Sequence, residues 1–322
     1  MKFALAKAVF LILLANYSTA HPAAKPSGGY HPPRTPDGHV EFEGTWIFSN
    51  VTPLERPQGF TQLRITAADA ARMRADFLTP PGTANQPDDP GRDVARTVEP
   101  IRGELRSSLI IDPADGKIPW QDAYKGSAAE HRRAVLGAFD NPEQRPPQER
   151  CLSSGAAPPM QPSGDINLYR IAQTPATTVI FAELIHDARM IRMYATHAPS
   201  VIASWLGDSI GWWEGDTLVV ETKHFSPSSA LRLTNRYLYL VSPQTTVIER
   251  FTRVSSNEIN YVFTVTDSLL YTRPWTGETH LLSSSARLFE YACHEGNYGM
   301  RNILEAARQR EANEPSAATS PR

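Results

Sequence analysis

Two kinds of apolar spacing alternate along the chain. Residues 67–77 place Ala70, Met73 and Phe77 on one helical face. Residues 297–311 repeat that spacing with Met300, Ile303, Leu304 and Ala307 and carry charge on the outer side. A further helix is expected over 127–138, where Ser127 and Glu130 have capping-box spacing. From 166 to 295 the texture changes to short β-rich runs separated by turn residues. The runs 178–183, 188–194 and 200–206 read as strands. The runs 210–213 and 217–222 flank Glu214-Gly215-Asp216 and predict a hairpin. A second hairpin is expected where 245–254 and 259–267 flank Ser255-Ser256-Asn257-Glu258. Residues 279–293 read as a last long strand. Two earlier strands are expected at 44–48 and at 107–112, the latter stopped by Pro113 and Asp115-Gly116.

Consecutive β runs without a βαβ alternation imply an antiparallel sheet, and a long one curls or closes to manage its edges. The expected class is therefore mainly β: an antiparallel barrel or strongly curled sheet of lipocalin or calycin type, with eight or so strands and a few short helices. Such a barrel is just wide enough for its own side chains or one small ligand. No period of 20–50 residues suggests a propeller. Residues 44–311 read as a single β-rich domain, preceded by an extended arm over 21–43 and followed by a flexible tail over 312–322.

Composition narrows the function classes. With 322 residues, 41% hydrophobic, the chain can bury a core without metal or a disulfide framework. A net charge of −2 disfavours nucleic acid as a partner. The first twenty residues have the order of a secretory signal: Lys2 and Lys7 around an apolar run, then Ser18-Thr19-Ala20 as a cleavage site. The apolar run is too short for a bilayer-spanning helix, and no later segment reaches spanning length, so no integral membrane segment is expected. The protein is expected to be secreted or periplasmic, cleaved near Ala20. In an oxidising compartment the only two cysteines, Cys151 and Cys293, either close as one bridge or stay as separate buried thiols, and export favours the bridge. Asn50-Val51-Thr52 matches a glycosylation sequon, which Pro53 weakens.

Strand alternation locates candidate chemistry. Val247, Glu249 and Phe251 share a face, so Glu249 points inward if its neighbours do, and then requires an Arg or His partner or a raised pKa. Val179, Phe181 and Glu183 share a face, as do Leu218, Val220, Thr222 and His224. The densest cluster is Tyr291-Ala292-Cys293-His294-Glu295-Gly296-Asn297-Tyr298, placed at the end of the last strand. His294 is the leading acid/base candidate, with Glu295 beside it. His186-Asp187-Ala188-Arg189 offers a second imidazole and a guanidinium able to clamp an anionic oxygen. Trp205, Trp212 and Trp213 are candidates for lining a flat apolar ligand, with His224 and Tyr298 as further contacts; core packing is the competing use of the tryptophans. His186, His224, His294 and Glu295 lack any metal-ligand spacing, so no metal site is expected. Serine-hydrolase, P-loop, zincin, thioredoxin and Rossmann motifs are all missing from the sequence, and no cofactor is expected.

The string Trp205-Leu206-Gly207-Asp208-Ser209-Ile210-Gly211-Trp212-Trp213-Glu214-Gly215-Asp216-Thr217-Leu218-Val219-Val220 resembles a family of exported bacterial proteins. Matching stretches are Ser107 to Pro113 with Asp115-Gly116, Pro142-Glu143 with Glu149-Arg150-Cys151, Glu249-Arg250-Phe251, Pro274-Trp275 and Tyr291 to Tyr298. The resemblance implies export and brings no catalytic residue with it. The family pattern has Arg where this chain has Ile210 and Trp212, a departure that makes the hairpin more apolar.

These features predict an exported enzyme acting on a small apolar or aromatic molecule by acid/base chemistry: isomerisation, cyclisation, elimination or hydrolysis. His294 would move the proton, Glu295, Glu249 or His186 would assist, and Arg189 would bind an anionic oxygen. The alternative is a carrier of lipocalin type that performs no chemistry.

Overall fold

The computed structural model describes residues 29–78, 98–162, 168–229, 231–233 and 238–313. The expected signal sequence, the start of the arm and the tail beyond 313 lie outside the described residues. Nine strands close a mixed β-barrel: β1 (Gly44–Ile47), β3 (Leu168–Gln173), β4 (Thr177–Ala182), β5 (Ala188–Met193), β6 (Asp208–Glu214), β7 (Thr217–Lys223), β10 (Thr246–Arg253), β11 (Glu258–Thr266) and β12 (Trp275–Ser283). They follow one another in that order around the wall, and β12 pairs back onto β1. The short β2 (Ile110–Asp112) is appended to β12 outside the ring, and β8 (Leu231–Leu233) pairs separately with β9 (Leu238–Leu240). Helices α1 (Ala67–Leu78), α2 (Ser127–Gly137) and α3 (Tyr298–Asn313) complete the regular structure.

The mainly β barrel with few short helices agrees with the sequence pattern, and so do both hairpins. Four particulars differ. The sheet is not wholly antiparallel, because β5 and β6 run parallel. Residues 200–206 form no strand; they belong to the segment that leads from the end of β5 to the start of β6. Strands β3, β8 and β9 escaped the sequence reading. The last strand ends at Ser283 rather than 293, where its partners run out: Glu258 opposite Leu282 on one side and Trp46 opposite Ser283 on the other.

Among the described residues, large side chains pack the barrel interior. Cross-strand register puts Glu249 beside Phe263 and Val220, and these with Tyr261, Ile191 and Trp46 point inward and are buried. Gly277 faces Phe263 across the ladder, and a Cβ there would lie 2.3 Å from the ring, so only glycine leaves the ring its place. The 29–43 arm folds over one mouth. Val40 and Phe42 are buried, His39 stacks on Trp213 at 4.8 Å, and Arg34 reaches Asp216 in the β6–β7 turn at 2.9 Å. The Pro-rich segment 155–162, buried throughout, enters the core, where the Met160 amide donates to the Tyr261 hydroxyl at 2.8 Å. Gly155 is pressed against Ala182 and Leu184 with no room for a side chain. Burying several aromatics at about 25 cal/mol per Å² is the main stabilising term in such a core.

Candidate functional site

One face of the expected chemistry is internal and structural. Arg189 on β5 donates from Nη1 to Glu249 Oε1 at 3.1 Å and from Nη2 to Oε2, with Nε on Ser209 Oγ at 3.1 Å. Tyr261 donates its hydroxyl to Glu249 Oε1 at 2.7 Å. Burial, then the adjacent carboxylate, push the Tyr261 phenol well above its ordinary pKa. The inward placement of Glu249 and its Arg partner follow the alternation argument. The roles expected for the pair do not: their side chains are 0% and 1% exposed, so neither presents a free group to a substrate.

The second face is a cleft outside the barrel. Once β12 ends, residues 284–297 run irregularly across the outer wall. The chain is pinned there by the Cys151–Cys293 disulfide, with an S–S distance of 1.99 Å, and by the Phe289 amide donating to Glu183 at 3.1 Å. Beneath it opens a cleft of about 510 Å³ lined by Phe181, His186 and residues 288–295. His294 and Glu295 line this cleft but are exposed on a loop rather than set at a strand end. An adjoining cleft of about 660 Å³ continues past Glu149 and Asn297.

His186 is the most constrained of these groups. It ends a single 3-10 turn, Leu184–His186, in which Ile185 and His186 both adopt left-handed backbone, with φ of 61° and 48°. Non-glycine residues held there cost on the order of 1 kcal/mol or more each, and such positions cluster at functional sites. His186 Nδ1 lies 3.1 Å from the Tyr291 carbonyl oxygen. A carbonyl only accepts, so Nδ1 carries the proton and Nε2 of the neutral ring keeps its lone pair. Asp187, next in the chain, is buried and takes the amides of Ser154 and Ala156 at 2.8 and 3.2 Å, a structural task.

The remaining expected contacts do not converge. Trp213 closes the barrel mouth against His39 and Phe42, whereas Trp212, one residue earlier, faces the other way and donates to Glu214 at 3.0 Å. Trp205 lies under the Arg150 guanidinium, and Tyr298 is 70% exposed at the start of α3. The sequon residue Asn50 is fully buried and caps Thr52 and the Glu99 amide, so it serves the fold.

His224 joins a group that no sequence spacing marked. His197, from the segment between β5 and β6, places Nδ1 2.8 Å from Asp208 Oδ2 and Nε2 2.9 Å from Glu221 Oε1. His224 follows β7, with its ring centroid 5.6 Å from that of His197. Burial raises the Asp208 pKa, but the Ala198 amide, His197 and Arg192 outweigh it and hold the carboxyl below its usual range. Glu221 is lowered likewise, burial being outweighed by His197 and Lys223.

Comparisons of the chain with protein-family models, with curated proteins and with solved structures found no match.

Proposed function

We propose that the protein is an exported enzyme that moves a proton on a small, largely apolar molecule held in the outer cleft. The observation that carries this reading is the His186 Nδ1 contact with the Tyr291 carbonyl, which fixes the tautomer and reserves Nε2 as the base. Phe181, Leu288 and Phe289 supply the apolar floor and rim, and His294 and Glu295 are the ionisable groups at the same cleft. The reaction classes that need only such groups are isomerisation, elimination and hydrolysis, with a base taking a proton and a second group returning it. The disulfide and the lack of a membrane-length helix among the described residues are compatible with an exported soluble chain.

The carrier reading is weakened by the filled lumen, since a carrier of lipocalin type keeps its ligand there. The test is a panel of aromatic esters, lactones and enones followed by mass spectrometry on the wild type and on His186→Gln. Turnover that falls by on the order of 10²-fold or more in a folded His186→Gln supports the assignment. Equal turnover in the two rejects His186, and stoichiometric binding with unchanged ligand mass over hours rejects the enzyme in favour of a carrier.

A further inference from the structure

Asp208 at the start of β6, His224 just past the end of β7 and His197 from the segment between β5 and β6 form a unit distinct from the cleft. One nitrogen of His197, one of His224 and one Asp208 carboxylate oxygen all lie within 4.8 Å of one another. Neighbouring donor atoms around a tetrahedral ion with bonds of about 2.0 Å stand about 3.3 Å apart, so a modest rotation of the imidazoles closes the set. The backbone holds each residue in place independently. Asp208 is paired with Lys223 in the β6–β7 ladder, His224 has left-handed φ of 59°, and the Ser204 amide bonds the His224 carbonyl at 3.1 Å, tying the His197 segment to it.

A second observation points to a ligand. His224 Nδ1 is shielded from solvent and has no hydrogen-bond partner among the described residues. A buried ring nitrogen left without a partner is costly and rare unless a water or an ion satisfies it. The surrounding groups have the arrangement that orients metal-bound histidines. Glu221 holds the far nitrogen of His197 at 2.9 Å, Lys223 neutralises Glu221 at 2.8 Å, and Arg192 and the Ala198 amide hold Asp208 at 2.7 and 2.8 Å.

From this geometry we infer that His197, Asp208 and His224 bind one divalent transition-metal ion. Two imidazoles and a carboxylate favour zinc or a similar borderline ion over magnesium or calcium, which prefer all-oxygen sets. Three protein ligands leave a coordination position for water.

The test uses the tag-free full chain, stripped with chelator and then titrated with ZnCl2 or CoCl2 alone. One zinc per chain is expected by elemental analysis after dialysis. Tm is expected to rise by roughly 4 °C at a hundredfold excess over Kd. Cobalt is expected to give visible absorption of a low-symmetry nitrogen and oxygen site. His197→Gln, Asp208→Asn and His224→Gln should each lose the Tm rise and the cobalt spectrum while His186→Gln and His294→Gln keep both. The metal-free Tm of each variant shows whether it folds, and the wild-type cobalt spectrum tests the site even if one does not. Wild type without bound metal or cobalt absorption overturns the inference, as does binding that survives in the folded His197→Gln/His224→Gln double variant.

Discussion

Arg189 on β5 and Glu249 on β10 meet inside the barrel across the two strands between them, and neither reaches solvent. Removing one partner leaves a buried charge alone, at a cost of about 3–5 kcal/mol. Arg189→Met and Glu249→Gln are each expected to destabilise by that order in urea unfolding. The double variant Arg189→Met/Glu249→Gln is expected to lose clearly less than the sum of the two. A strictly additive double variant would show that the pair is not coupled.

His280 on β12 gives a pH dependence. Burial disfavours its charged form, but Glu258 and Glu99, each 3.4 Å away, outweigh burial and raise its pKa above the ordinary 6.5. The stabilisation is complete below pH 6.5 and is lost as pH rises through the higher folded-state value. Urea midpoints should therefore fall as pH rises above 6.5 in the wild type, and His280→Asn should flatten that slope.

The Cys151–Cys293 bridge closes a loop of 142 residues. Cys151→Ser/Cys293→Ser is expected to lower stability by about 2–5 kcal/mol. Hydrogen exchange should speed up over residues 288–297, because the disulfide is a principal tether of that loop. Unchanged exchange there would mean that the Glu183–Phe289 and His186–Tyr291 contacts suffice to position it.

Gly277→Ala pushes a methyl into the Phe263 ring, which is itself wedged at 5.8 Å from Trp275 and 5.7 Å from Tyr261. Overpacking of this kind costs typically about 1–3 kcal/mol. A calorimetric Tm drop of several degrees is expected, and Phe263→Leu should relieve part of it in the double variant.

Alternation and turn chemistry read the wall of the barrel well. The Glu214-Gly215-Asp216 hairpin, with Gly215 at φ 60°, and the inward face of Val247, Glu249 and Phe251 both follow from period two. Strand β3 was missed because only Tyr169 and Ile171 mark its buried face. The span 200–206 looked like a strand because Val201, Ile202 and Leu206 are apolar, yet Val201 is 87% exposed. The reading could place Glu249 inside but not identify the Arg189 partner as permanent, since that depends on how strands curl around. His197 and Asp208 are eleven residues apart and carry no motif spacing; they meet only because a backbone excursion brings them together.

The single parallel contact between β5 and β6 follows from counting. A ring in which every neighbour runs the opposite way needs an even number of members, and this one has nine, so an odd number of like-directed contacts is forced and one suffices. Two like-directed neighbours cannot be joined by a tight turn, and the chain must travel back along the outside before re-entering. That return journey, residues 194–207, is what delivers His197 to Asp208 and His224. The odd parity of the ring thus obliges the chain to build the detour from which the histidine cluster is made.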